Sequence, residues 1–224
     1  MAKVEGLIKQ TTAVDRLKEG ADQYLRLLRD GTLSMVDWIA ALSLEGRVFT
    51  CNAGVATTAI AFGDEGLDTD EFDLFVSVPS SVVIIPLELN IHFETTGTAL
   101  LVECVMQVGT GGAANATSTA TVTRSSNPNT GLTSACTSVC AANTSGTAFT
   151  GDVKEIWRAS DQISIDIDTI AQIRIPYNYR WKAMTSGVLD VVGPSYGLAV
   201  WASSKTGTGM ISLKYIELPA SVMQ

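Results

Sequence analysis

A single histidine, His92, serves the whole of this 224-residue chain. That scarcity excludes the H-E-x-x-H metalloprotease helix and any multi-histidine metal centre. A Ser-His-Asp arrangement would have to pass through His92, and no G-x-S-x-G nucleophile elbow accompanies it. His92 falls instead on the polar side of an alternating segment, where a histidine meets solvent or a neighbouring chain. Charge is scarce too. Only 17% of residues are Asp, Glu, Lys or Arg, against roughly 25% in ordinary soluble domains. Gly, Ser, Thr and Ala fill the gap, so the expected surface is polar but weakly charged, suited to lying against copies of itself. The net charge of −8 argues against nucleic acid as the main ligand, because phosphate binding needs a basic face.

Long apolar runs are missing. No segment approaches the roughly 20 residues of a membrane span, and the longest candidate, 81–91, is interrupted by Pro86, Glu88 and Asn90. Lys3, Glu5, Lys9, Asp15 and Arg16 break up any secretory h-region, so the chain is expected to be made and kept in a cytoplasm until assembled. The four cysteines, Cys51, Cys104, Cys136 and Cys140, form no C-x-x-C pair and are expected as reduced, partly buried thiols. On one strand Cys136 and Cys140 would sit about 13 Å apart, too far to bridge; a turn between them would allow a disulfide. There is no Walker loop, and Gly109-Thr-Gly-Gly lacks a following helix to present to a phosphate. No cofactor is expected.

What is present changes character near residue 46. Before it, Leu17, Ala21, Tyr24, Leu25 and Leu28 recur on one helical stripe, with Arg16, Lys18, Glu19, Asp22, Arg26 and Arg29 around them. Ser34 with Asp37 reads as a capping box opening a short helix over Met35–Leu42, with Trp38, Ile39 and Leu42 on its buried side and Gly46 as the stop. After it the period is two. In 85–94 the odd residues are large and apolar, and from Leu87 onward the even ones are polar. Leu100–Val108, Ile163–Ile167 and Ile211–Tyr215 repeat the scheme. Shorter strands are expected at Val48–Cys51, Thr57–Phe62, Phe72–Val78, Ala120–Arg124, Lys154–Trp157, Ile170–Ile175 and Tyr196–Trp201. The small-residue stretch 109–151 reads as a long excursion with edge strands. No long helix is interleaved, so the expectation is mainly β: an antiparallel β-sandwich of the jelly-roll kind over 47–224, with an α-helical N-terminal arm over 1–46.

From Val48 to Thr123 there is no Lys or Arg but nine acids, six of them Asp64, Glu65, Asp68, Asp70, Glu71 and Asp73. Oxygen-rich loops of this kind can hold Ca²⁺, which makes Asp64, Asp68, Asp70 and Asp73 a candidate site, although the EF-hand spacing is absent. The alternative is a solvated acidic loop, or one that meets a basic patch on a neighbour, for which Arg174, Arg180 and Lys182 are candidates. Asp161, Asp166 and Asp168 form a smaller cluster. Trp157, Trp181 and Trp201 lie in or near strand patterns and read as core or interface anchors. A glycosidase built on paired carboxylates is disfavoured by an aromatic content of 7%.

Residues 1–47 carry seven basic and seven acidic side chains. A neutral amphipathic arm docks rather than condenses a genome, so Leu17, Tyr24, Leu25 and Leu28, with Trp38, are the expected interface, facing a neighbouring subunit, an inner layer or a membrane surface. The stretch 76–91, VSVPSSVVIIPLELNI, resembles segments of bacteriophage structural proteins, and the closing 209–219, GMISLKYIELP, resembles the last strand of a viral jelly roll. The resemblance implies the single-jelly-roll capsid class of icosahedral bacterial viruses, membrane-containing ones included. It implies a structural virion protein, not an enzyme, whose partners are copies of itself and other capsid proteins, with no small-molecule substrate. The alternatives are a spike, decoration, receptor- or carbohydrate-binding module, and a jelly-roll enzyme acting on glycans.

Overall fold

Asp37 opens a short helix in the computed structural model, which describes residues 37–55, 57–63, 67–96, 101–114, 122–128, 130–140, 145–162, 178–186, 189–203 and 207–223. The chain divides into two units, Met1–Arg47 and Val48–Gln224. In the first, α1 spans Trp38–Leu44, and the Asp37 carboxylate accepts from the Ile39 N–H at 2.8 Å. This corrects the expected start: Asp37 is itself the cap, satisfying an N–H that has no intrahelical partner, rather than the third helical residue after Ser34. Gly46 closes the helix at φ +78°, a left-handed conformation that costs a glycine little, while the Gly46 and Arg47 N–H groups donate back to Ser43 and Leu42. Leu42 is buried, Ile39 is half-buried, and Trp38 is exposed at 37%, so only part of the expected apolar side is covered.

The second unit is mainly β. Its strands are β1 (Val48–Ala53), β2 (Ile60–Ala61), β3 (Leu74–Ser77), β4 (Val82–Thr95), β5 (Leu101–Thr110), β6 (Val122–Ser126), β7 (Thr137–Val139), β8 (Gly151–Gln162), β9 (Asn178–Lys182), β10 (Gly197–Ser203) and β11 (Thr208–Pro219); a short helix α2 (Ala183–Ser186) follows β9. They form two antiparallel sheets, ordered β6-β1-β11-β4-β9 with β2 against β11, and β7-β3-β10-β5-β8. Alternation puts Cys51, Leu89, Ile91, Phe93, Ile211, Leu213 and Tyr215 from the first sheet, and Val76, Cys104, Met106, Leu198 and Val200 from the second, into one shared core. This is consistent with a β-sandwich. Trp181 is in that core, and Trp157 packs against it. All four cysteines are buried thiols outside any disulfide, so Cys136 and Cys140 are not bridged.

Several expected strands shift. The stretch 57–62 forms a strand over Ile60–Ala61, with an isolated bridge from Thr58 to Val55, and the expected Phe72–Val78 shortens to Leu74–Ser77. The expected Lys154–Trp157 lengthens to Gly151–Gln162. The expected strands 163–167 and 170–175 lie outside the described residues, as do Arg174, Asp166 and Asp168. In the small-residue stretch, β6 and β7 are indeed edge strands, one on each sheet. Gly109 and Gly112 are required there by close approach: a Cβ on either would sit within 2.7 Å of the Phe149 ring.

The largest departure is within β4. Its register against β11 jumps from Glu88↔Lys214 to Pro86↔Tyr215, leaving Leu87 as an extra residue. A bulge of this kind reverses which side chains face inward. Downstream, Leu89, Ile91 and Phe93 enter the shared core; upstream, Ile84 does. Val83 and Ile85, opposite Leu218 and Ile216, therefore turn to the outer face, where all four are buried. Pro86 is accommodated because β9 pairs with β4 over Glu88–His92, so among the described residues no strand partner on that side awaits its missing N–H.

Candidate functional site

The acidic segment 67–73 lies on the outer face of the second sheet, and an aromatic cluster holds it there. Phe72 meets Phe75, Phe149 and Trp201 at ring-centroid distances of 5.0, 5.4 and 5.0 Å, with Leu67 packed alongside. The Trp201 indole N–H donates to the Asp68 carbonyl at 2.7 Å, and the Gly146 N–H donates to the Asp70 carbonyl at 2.7 Å. Ser145 Oγ donates to Glu71 at 3.4 Å. The loop is thus pinned through its backbone while the Asp68 side chain stays exposed. Asp68 and Asp70 crowd each other: a hydrogen bond from one carboxyl to the other, aided by desolvation and by the Asp68 charge, raises the Asp70 pKa.

Asp73 differs from its neighbours. It is 1% exposed, and its Oδ2 accepts from the Ala202 N–H at 2.6 Å, while Oδ1 has no hydrogen-bond partner among the described residues. Burial pushes its pKa well above the usual carboxylate value, against the opposing pull of the Ala202 and Gly63 N–H groups. Its role is to tie the start of β3 to β10. Asp68, Glu71 and Asp73 share the lining of one tight pocket with Gly63 and Ser203. Asp64 lies outside the described residues. Among the described residues no three His, Cys, Asp or Glu side chains are arranged to hold a metal ion.

The outer flank of the first sheet has the opposite charge. Glu88↔Lys182 and Asn90↔Arg180 pair across β4 and β9, and Glu88↔Lys214 across β4 and β11, which brings three cations around one carboxylate. Arg180 Nε donates to Glu88 Oε1 at 2.6 Å, and Lys214 Nζ is 4.0 Å from Glu88 Oε2. Burial pulls the Glu88 pKa up, but the Arg180 hydrogen bond and the surrounding cations outweigh it and hold the carboxyl below its usual value. Asn178, hydrogen-bonded to His92, extends the polar surface. Beside it, Asn52, Gly54, Met210 and Ser212 border a recess of about 270 Å³.

The structure therefore brings together Asp68, Asp70 and Asp73 and separates them from Arg180 and Lys182, which lie on the other flank. Leu17, Tyr24, Leu25 and Leu28 lie outside the described residues, and Trp38 is exposed on α1. Two features were missed from sequence. Strand β9 carries the alternating run Asn178-Tyr-Arg-Trp-Lys, whose polar and aromatic residues follow the period-two rule. Lys214 sits in the alternation of β11 and follows from the same rule. Among the described residues, what the two flanks present is charge and hydrogen-bonding groups on the outer faces of the sheets. In comparisons with protein-family models, curated proteins and solved structures, nothing matches this chain.

Proposed function

We propose that this chain is a capsid subunit of an icosahedral virus of bacteria, a structural virion protein that assembles in the host cytoplasm with copies of itself and other shell proteins. In this reading the second unit is a jelly roll. The observation that carries it is the nesting of strand pairs: β1 with β11, β3 with β10, β4 with β9 and β5 with β8, the pairs lying alternately in the two sheets. That is the pattern of one long hairpin rolled up on itself, an architecture used for shells and lectins. Strands β2, β6 and β7 are additions to it. The polar, sparsely charged flanks support tiling, where many weak contacts act together and symmetry closes the assembly.

In the same reading the arm is helical, and the stripe Leu17, Tyr24, Leu25, Leu28 docks against a neighbour, an inner layer or a membrane surface. No cofactor or small-molecule substrate enters. Negative-stain electron microscopy of the purified chain tests this. Shells, pentamers or hexamers are the expected particles; discrete trimers with affinity for glycans or a host receptor would replace the proposal with a spike or receptor-binding module.

A further inference from the structure

We propose that the acidic loop of one copy, through Asp68 and Asp70, docks on the basic strip formed by Arg180, Lys182 and Lys214 of a second copy. The contact rests on the capsid reading and names one of its interfaces. Three observations carry it. First, charge is segregated: there is no Lys or Arg between Val48 and Thr123, whereas the outer flank of β4, β9 and β11 sets three cations around Glu88 alone. In a chain of net charge −8, that flank is a local positive surface. Second, neither side is fully neutralised among the described residues: Glu88 alone faces Arg180 and Lys214. Among the described residues Asp68 and Asp70 form no ion pair with a basic side chain, and Lys182 forms none with an acidic one. Third, the loop is pre-organised. Trp201 and Gly146 hold its backbone, so little freedom is lost when a partner binds.

The crowding of Asp68 against Asp70 adds a reason for a cation to be welcome there: an approaching ammonium relieves the repulsion between the two carboxylates. The loop lies on the outer face of one sheet and the strip on the outer face of the other. The contact is therefore heterologous, each copy offering its loop to one neighbour and its strip to another, which generates rings when the rotation closes. Its range is short, because charges farther apart than about 8 Å are screened at physiological salt.

Charge reversal on the full-length chain tests the contact, with assembly followed by light scattering and sedimentation velocity. Variant one carries Lys182→Glu and Lys214→Glu; variant two carries Asp68→Lys and Asp70→Lys. All four side chains lie outside the shared core, and circular dichroism checks that both variants fold. Each variant alone is expected to need at least about tenfold more protein than wild type for half-assembly, since like charges then face each other. An equimolar mixture is expected to recover wild-type behaviour, because the acidic loop of one then meets the basic strip of the other. A chain with all four substitutions recovers it as well. If wild type assembles and the variants assemble equally well, or if mixing rescues nothing, the contact is overturned and the capsid reading stands. If wild type stays monomeric at every salt concentration, both fall. If a variant fails to fold, the milder Lys182→Gln with Asp68→Asn replaces it, and an unchanged assembly threshold in both overturns the contact.

Discussion

Tyr179 on β9 donates its phenol hydroxyl to Asp161 on β8 at 2.8 Å, a bond that runs between the two sheets where their edge strands face each other. Both edges lack a further strand among the described residues, so this bond, with the edge-to-face contact of Tyr179 on Phe93 at 6.0 Å, fastens that side. Tyr179→Phe keeps the ring and removes the donor. It is expected to cost about 1 kcal/mol, measured as a lower urea midpoint with an unchanged slope. Asp161→Asn tested alone and together with Tyr179→Phe should show coupling between the two.

Asp73 sets a pH dependence. Its folded pKa is raised above the ordinary 3.8 by burial, so the folded state holds the proton more tightly than the unfolded one. The sign follows by linkage: its contribution is fully present below pH 3.8 and is lost as pH rises through the folded pKa. Asp73→Asn keeps an oxygen for the Ala202 N–H and cannot ionise. Thermal melts across pH are expected to show this variant gaining on wild type as pH rises, with the gap levelling off above the folded pKa.

The thiols should be silent in the native protein. Burial raises the Cys104 pKa far above the ordinary thiol value and pushes Cys136 up to about 12, and Cys51 and Cys140 are fully buried. Thiolate is the reactive form, so a thiol reagent at pH 8 is expected to label none of the four in minutes and all four in guanidinium. Fast labelling of the native chain would contradict the burial.

Gly209 sits at a register shift between β11 and β4, and a Cβ there would fall 2.0 Å from the His92 carbonyl oxygen and 2.4 Å from the Phe62 ring. A ring can turn, but a strand carbonyl in a ladder cannot move aside. Gly209→Ala is therefore expected to cost about 1–3 kcal/mol through overpacking, read as a drop in Tm.

The strands that alternate cleanly over one face were readable in the sequence. Period two alone predicts Leu89, Ile91, Phe93, Ile211, Leu213 and Tyr215 inward, and they are in the core. The reading fails where tertiary packing overrides the period. Ile85 shares the odd-numbered frame of Leu89 yet faces outward, because the bulge at Leu87 is a property of the pairing with β11 and not of the local run. Ser34 and Asp37 are both acceptable caps in the sequence, and only the backbone chooses Asp37, one turn later than the spacing alone predicts. At the candidate site, the charge pattern marked Asp68, Asp70 and Asp73 as a group but not the buried state of Asp73. Nothing local separates an acid that ties β3 to β10 from one that faces water.

The insertion at Leu87 also has a consequence for how change is tolerated along the chain. Because the ribbon of Val82–Thr95 switches allegiance at that point, its two ends answer to different neighbours. Excising the one residue would force a choice between them: either Ile84 leaves the shared interior, or Leu89, Ile91 and Phe93 are driven into water. A strand whose halves are geared against each other in this way can exchange side chains freely yet cannot change length by one.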